Sequence, residues 1–359
     1  MLKILSLFSG IGAFEKAMTN IGLDYEVVNY CEIDKYASKS YAAIHNISED
    51  KNLWDVSKVN PKTLPADIDI MTYGFPCQDI SLAGKMRGIT TETRSGLLFE
   101  ALRILEGCKP KVAIAENVKN LVGKKFITDF SNTLSLLDEL GYNSYWKVLN
   151  AKDYGIPQNR ERVFIVSIRK DIDNGCFVFP DIIPLGTCMR DYLEDEVDEK
   201  YYLKDTKDFF IRHSLEQEAK GNGFRFSPHI KKNAEIASAI LTKAGSRMDD
   251  NYVLDVDYPD ASFTFEKKNM DKVVKLDNLA DKSTQSHTVY DGGRQPIIID
   301  NLRIRKLTPK ECFRLMGFTD EDIEKTTCSN TQLYKQAGNS ICVPVVEAIF
   351  TNLHKAEII

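Results

Sequence analysis

The chain has 359 residues, 43% hydrophobic and 28% charged, with a formal net charge of −5, a composition of ordinary globular proteins rather than fibrous, disordered or disulfide-scaffold ones. The length allows two domains, or one large domain with an insertion. No apolar run nears the roughly 18–20 residues needed to cross a bilayer, and MLKILSLFSG has too short an apolar stretch for a secretory signal. Eight cysteines without a C-x-x-C pair argue against a disulfide framework or zinc ribbon, and for reduced thiols in a cytoplasm-like compartment. The negative charge is localised. Residues 191–208 hold eight acids against three lysines, which accounts for all of it, whereas 303–314 hold five cations against Glu311. A basic surface can therefore exist on an acidic protein, although a solvated face is the plainer reading of such a run.

In chain order, ILSLF (4–8) reads as a buried strand turning through Ser9-Gly10-Ile11-Gly12 into a helix from about Phe14 to Asn20. EVVNY (26–30), IDIMTY (68–73), VAIA (112–115) and RVFIVSI (162–168) read as further strands, and Leu98, Leu102 and Leu105 form a helical stripe between the third and fourth. This alternation predicts an α/β fold with a mainly parallel, doubly wound sheet covered by helices. From about residue 179 the rhythm stops. GNGF (221–224), AGSRMDDN (244–251) and YDGGR (290–294) are rich in turn residues and predict a second, irregular domain that presents loops to a partner. Beyond Arg305, Thr308-Pro309 start a helix that Gly317 ends, and a last helix carries Ile341, Val345, Ile349 and Leu353 with Ser340 as N-cap.

Ligands of an open doubly wound sheet bind at the carboxyl ends of its strands. Glu32 follows the second strand, GFPCQ (74–78) the third and Glu116-Asn117-Val118 the fourth. The Gly10-x-Gly12 turn permits close backbone approach, and Glu32 is spaced to meet ribose hydroxyls. Glu15 occupies the place of the third glycine of a dinucleotide fingerprint and would repel a pyrophosphate, which favours a nucleoside without phosphates, such as S-adenosylmethionine. Cys77, between Pro76 and Gln78, is placed for attack, but an ordinary thiol is only a few per cent thiolate at neutral pH, so it or its electrophile needs activating. Glu116, desolvated at a neighbouring strand end, can donate a proton. A period of two puts Gln158, Arg160 and Arg162 on one face, where the arginines suit a phosphate, the Glu116 carboxylate or simply solvent.

FSGIG (8–12), GFPCQ (74–78), ENV (116–118), QNRERVFIV (158–166), RKLTPKECFRLMGF (305–318) and QAGNS (336–340) stand in the order found in DNA (cytosine-5)-methyltransferases. The chain resembles the bacterial and phage restriction-modification type over nearly its whole length, apart from roughly residues 181–300. The resemblance implies a Rossmann-like, S-adenosylmethionine-dependent catalytic domain of residues 1–178 and 325–359, and a smaller, irregular, β-rich target-recognition domain at 179–324. It implies methyl transfer to C5 of a cytosine flipped from a specific double-stranded DNA site. Cys77 would add to C6, Glu116 act at N3, Arg162 support Glu116 and Arg160 lie toward phosphate.

For the cofactor, the resemblance implies Phe8, Gly10 and Gly12 along one side, Glu32 on the ribose, Ile33 on adenine and Asp55 at its amino group, with Pro76, Leu98, Asn339 and Ser340 completing the pocket. By the same resemblance, Gln78, Ser81, Lys85 and Arg94 would belong to a loop that closes on DNA, with Gln158 also expected at the DNA. Thr288, before Val289, is the candidate base reader, with Leu241-Thr242 its rival. A monomer without metal, in the bacterial cytoplasm, is expected. Ser9 and Ala13 replace the family's frequent Ala and Gly. A tRNA cytosine-5 methyltransferase of the same fold is the alternative, but its Cys-Phe-Thr motif is not matched by Cys312-Phe313-Arg314.

Overall fold

Apolar runs flanked by Gly-containing turns become strands, and stripes of period 3.6 become helices. A computed structural model describes residues 1–76, 96–204, 228–255 and 303–359, some positions between 206 and 226, and the backbone of 264–265 and 274–275. Strand β1 (Leu2–Leu7) leads through helix α1 (Ala13–Asn20) to β2 (Tyr25–Cys31) and α2 (Lys35–His45). Then follow β3 (Ile70–Tyr73), α3 (Leu97–Cys108), β4 (Val112–Val118), α4 (Ile127–Glu139) and β5 (Tyr142–Asn150). The short β6 (Gln158–Asn159) precedes β7 (Glu161–Arg169).

The main sheet has the order β2-β1-β3-β4-β7-β5. β1 is parallel to β2 and β3, and β3 to β4, but β7 runs antiparallel to both β4 and β5. The sheet is thus mainly parallel as expected: β1 to β5 run in one direction and β7 alone is reversed. The reason is connection length: the segment 151–160 is too short for the crossover that a parallel partner requires, so β7 turns back and fills the gap that the β4–α4–β5 crossover leaves. β5 has no clean alternation, since Trp146 and Lys147 are both exposed at this edge, and its pattern did not mark it as a strand.

Alternate residues of the strands feed two cores. Ile4, Ile70, Val112, Ile114, Phe164 and Val166 join Phe14 and Phe350 on one face. Leu5, Leu7, Met71, Ala113, Ala115, Val163 and Ile165 join Leu102, Leu105 and Phe130 on the other. The resulting three-layer α/β/α arrangement is the Rossmann-like fold expected.

The second region contains β8 (His229–Ile230), β9 (Ala237–Ser238), β10 (Tyr252–Leu254), β11 (Thr264–Phe265), β12 (Val274–Lys275) and β13 (Ile304–Lys306). β10 joins β8 and β13 in one small sheet, β11 pairs with β12, and β9 pairs with β6, which precedes the main-sheet strand β7. Next come α5 (Pro309–Arg314), capped by Thr308 and Glu311, α6 (Asp320–Glu324) and α7 (Asn330–Asn339). Ser340 closes α7 rather than capping the last helix, α8 (Val343–Lys355), which starts with Pro344 in its first turn where a missing N–H costs nothing. The cationic run 303–314 is largely neutralised rather than a free basic face. Arg305 is buried against Glu311, Arg303 pairs with Glu199, and Arg314 and Lys310 pair with Asp320.

Helix α8 returns the end of the chain to its beginning, with the Phe14 and Phe350 rings edge to face at 6.4 Å. Phe350 is fully buried, so Phe350→Ala should cost about 3–5 kcal/mol through lost transfer energy and an unfilled cavity. Urea unfolding should show a lowered midpoint with an unchanged slope; an unmoved midpoint would place α8 outside the cooperative core.

Candidate active site

The carboxyl ends of β1 and β2 build the first half of the crevice. After β1 the backbone enters the left-handed region at Phe8 and Gly10, with φ of 54° and 57°; for a phenylalanine that conformation is strained and needs support from its surroundings. Support comes from Glu32, just beyond β2. Its Oε2 accepts from the Gly10 N–H at 2.9 Å and its Oε1 from the Asp34 N–H at 2.7 Å. The peptide of Glu32 is fixed in turn by buried Asn52, whose Oδ1 accepts from the Glu32 and Trp54 amides and whose Nδ2 donates to the Glu32 carbonyl and Ser38. Burial raises the Glu32 pKa above its usual value, opposed by the two amides. Gly12, at φ 80°, cannot be replaced cheaply: an added Cβ would lie 2.1 Å from Nε2 of His45, which itself hydrogen-bonds the Ile11 carbonyl at 3.0 Å. Ile33 is 72% exposed at the rim.

The second half lies at the ends of β3 and β4. The pairing that places Val118 opposite Arg162 brings the Arg162 Nε to 3.0 Å from Glu116 Oε1. Both side chains are mostly buried, at 20% and 13% exposure. Burial raises the Glu116 pKa, opposed first by Arg162 and then by Arg160. Asn117 Nδ2 donates to the Phe75 carbonyl at 3.1 Å, tying the Gly74-Phe75-Pro76 turn to β4 beside that carboxyl. A buried, arginine-held acid therefore stands at the end of β4 next to a turn, and a two-amide-anchored carboxylate stands at the end of β2, on the same edge of the parallel strands.

A family model for C-5 cytosine-specific DNA methylases matches residues 2–355. The chain belongs to that family. It is 34% identical to the orphan methyltransferase M.SPRI of Bacillus phage SPR, with 98% of this chain and 97% of that protein covered. It is also 34% identical to the type II methyltransferase M2.ScrFI of Lactococcus lactis subsp. cremoris, covering 99% of this chain and all of that one (100%). Its fold is similar to that of the Entamoeba histolytica methyltransferase EhMeth, with a TM-score of 0.74 at 17% identity over 99% and 98% of the two chains.

In this methylase, Phe8, Gly10 and Gly12 follow β1 beside Glu32, Ile33 follows Glu32 at the end of β2, and Pro76 follows β3. Asp55 is the N-cap of a short turn, its Oδ1 accepting from the Ser57 N–H and hydroxyl, contacts that lower its pKa. Asn339 is exposed at the end of α7 and Ser340 is buried beside it. Leu98, at 1% exposure, packs with Leu7, Cys31 and Phe75 in the core. Gln158, expected at the DNA, has 0% exposure and bonds the Leu315 carbonyl and the Ile240 amide. Arg160, expected toward phosphate, is 4% exposed and donates to three main-chain carbonyls. The regular strand breaks between Asn159 and Glu161, so the period-two argument does not carry across Arg160. Cys77, Gln78, Ser81, Lys85, Arg94 and Thr288 lie outside the described residues. Among the described residues no group of three or more His, Cys, Asp or Glu could hold a metal ion, and no helix is long and apolar enough to cross a membrane.

Asn52 escaped the sequence reading because an asparagine in Lys51-Asn52-Leu53-Trp54 carries no motif; only its position between β2 and the 53–55 turn gives it partners. Asn52→Leu should cost about 1–3 kcal/mol by leaving buried amide and carbonyl groups unpaired. Thermal denaturation and titration with S-adenosylhomocysteine should show reduced stability together with weakened binding. Loss of stability with full affinity would separate Asn52 from the cofactor side.

Proposed function

We propose that this DNA methylase transfers a methyl group from S-adenosylmethionine to C5 of a cytosine extruded from a specific double-stranded DNA site, through a transient bond between Cys77 and C6. The observation that carries the reading is the Glu116 carboxyl, buried at the end of β4, held by Arg162 and adjoining the turn that leads into Cys77. The tRNA alternative is not favoured, because the matched family is one of DNA methylases.

The residues at the ends of β1 and β2 fit the cofactor. Each Glu32 oxygen accepts one backbone N–H and keeps a lone pair for a ribose hydroxyl, the φ values at Gly10 and Gly12 leave the turn without side chains, and Ile33 offers an uncovered apolar surface. Asp55, through its second carboxylate oxygen, and Asn339 and Ser340 complete that assignment. When bound, S-adenosylmethionine supplies an electrophilic methyl group on a sulfonium. Glu116 donates a hydrogen bond or proton at N3 and draws electrons from C6. The Cys77 thiolate then forms the S–C6 bond while the C5=C6 electrons move onto C5, making C5 the nucleophile. After methylation the C5 proton leaves to a base, its electrons restore C5=C6, and the S–C6 bond breaks to free the thiolate. Arg162 fixes the orientation of Glu116 throughout. The recognition domain is assigned to 179–324, with Gln78, Ser81, Lys85, Arg94 and Thr288 directed to DNA.

A duplex carrying 5-fluorocytosine at the target position cannot lose a proton from C5, so it should remain trapped on the chain when S-adenosylmethionine is present. Cys77→Ala should abolish both trapping and turnover while nucleoside affinity stays within about twofold, a change below 0.5 kcal/mol. Trapping by Cys77→Ala would overturn the covalent step.

Because burial raises the Glu116 pKa, its acid form persists to higher pH than that of an exposed carboxyl and is lost as pH rises through the shifted value. Single-turnover rates should therefore contain an alkaline fall due to this group. Glu116→Gln, which cannot titrate, should react at least about 10²-fold more slowly and lack that fall. An identical pH profile in the variant would remove Glu116 as the acid.

A further inference from the structure

We propose that Arg160 is a positioning residue that ties the target-recognition region to the cofactor pocket, so that occupancy of one is felt by the other. The inference rests on the assignment of 179–324 to DNA and of Asn339 and Ser340 to the cofactor. Arg160 lies in the break between β6 and β7, and its guanidinium spans two otherwise separate pieces of chain. Nη1 donates to the Ile240 carbonyl at 2.9 Å, just after β9 in the recognition region. Nη2 donates to the Gly338 and Ser340 carbonyls at 2.9 and 2.7 Å, on either side of Asn339 at the end of α7. Those two carbonyls belong to a helix C-terminus, where unpaired acceptors and the helix dipole both favour a cation.

The same peptide of the recognition region is held from its other side. The Ile240 N–H donates to Gln158 Oε1 at 3.0 Å, while Gln158 Nε2 donates to the Leu315 carbonyl at 2.7 Å. Gln158 and Arg160 thereby continue, with their side chains, the ladder that begins where β6 pairs with β9. Contact between the two pieces is close. A Cβ on Gly338 would stand 2.3 Å from the Thr242 amide nitrogen and 2.4 Å from the Leu241 carbonyl carbon, backbone atoms that cannot swing aside. A shift of residues 240–242 therefore moves the carbonyls that flank Asn339, and the reverse.

Arg160→Lys and Gly338→Ala separate this role from general stability. Lysine keeps the charge that acts on Glu116 but cannot bridge three carbonyls; alanine at 338 leaves the guanidinium intact and forces the segments apart. Affinity for S-adenosylhomocysteine would be measured on the full chain by calorimetry, with and without substrate duplex, alongside amide hydrogen exchange in 237–242 and 336–341. In the wild type the duplex should change nucleoside affinity by at least about fivefold, and by linkage the nucleoside should change duplex affinity equally. In both variants that factor should fall to near one, with protection lost in both segments together. A folded variant that keeps the wild-type factor, or a wild type with a factor of one, would overturn the proposal. If Arg160→Lys does not fold, Gly338→Ala decides alone. If the wild type binds neither ligand, the functional assignment fails by itself, and joint or single-segment loss of protection still supports or overturns the clasp.

Discussion

A carboxyl buried at a strand end must find a cation or keep a proton, and Glu116 is placed so that both answers are within reach. Desolvation favours the neutral acid; the Arg162 guanidinium at 3.0 Å favours the anion. A group balanced in this way can give a proton to a ring nitrogen and recover it without large reorganisation of its surroundings. The balance depends on the direction of β7. Only an antiparallel β7 sets Arg162 opposite Val118, one pair removed along the same face from Glu116. The departure from a wholly parallel sheet is thus the feature that assembles the acid and its partner.

The ends of β1 and β2 are organised by a different set of contacts. Glu32 uses its oxygens on backbone amides of its own chain, and Asn52 holds the peptide on which that carboxylate sits. A carboxylate fixed at both oxygens loses little freedom when a diol arrives, which is the advantage of preorganisation in binding. The strained φ at Phe8 is held in place by the same network, since the Ser9 amide donates to the Cys31 carbonyl and the Gly10 amide to Glu32. Strain is therefore concentrated in one turn, and His45 packed against Gly12 leaves that turn no room to relax inward.

Much of this was legible from residues alone, and what was not shares one cause. The runs 4–8, 68–73 and 112–115 announced strands because their surroundings are apolar on both faces, and Glu32 and Glu116 announced a site because strand ends of such a sheet converge. β5 did not announce itself, because an edge strand mixes exposed Trp146 and Lys147 with buried positions. Gln158 and Arg160 looked like ligand-facing groups because their partners, Ile240, Leu315, Gly338 and Ser340, are distant in sequence and no local pattern foretells them. The cationic run 303–314 misled for the same reason: Glu199 and Asp320, which pair with its arginines, lie outside it. Local periodicity reports whether a side chain is buried more readily than what it touches.

Beyond β9 the chain is held by buried polar contacts where apolar packing would have been simpler. Arg305 and Glu311 are both fully buried, paired at 2.8 and 2.9 Å, and Glu311 also accepts from the Glu194 and Thr308 amides. Burying such a pair gains little stability over a well-packed hydrophobic pair of the same volume. What it supplies is direction. An apolar contact tolerates sliding, whereas a guanidinium that meets two carboxylate oxygens, or three carbonyls as at Arg160, is satisfied in one orientation only. A catalytic site needs that kind of constraint, because misplacement by about 1 Å can cost on the order of 10²-fold in rate. Two buried arginines thus make sense as registers: Arg305 fixes α5 against β13, Arg160 fixes residue 240 and the end of α7 at the break before β7, and the surrounding apolar core supplies the stability that they do not.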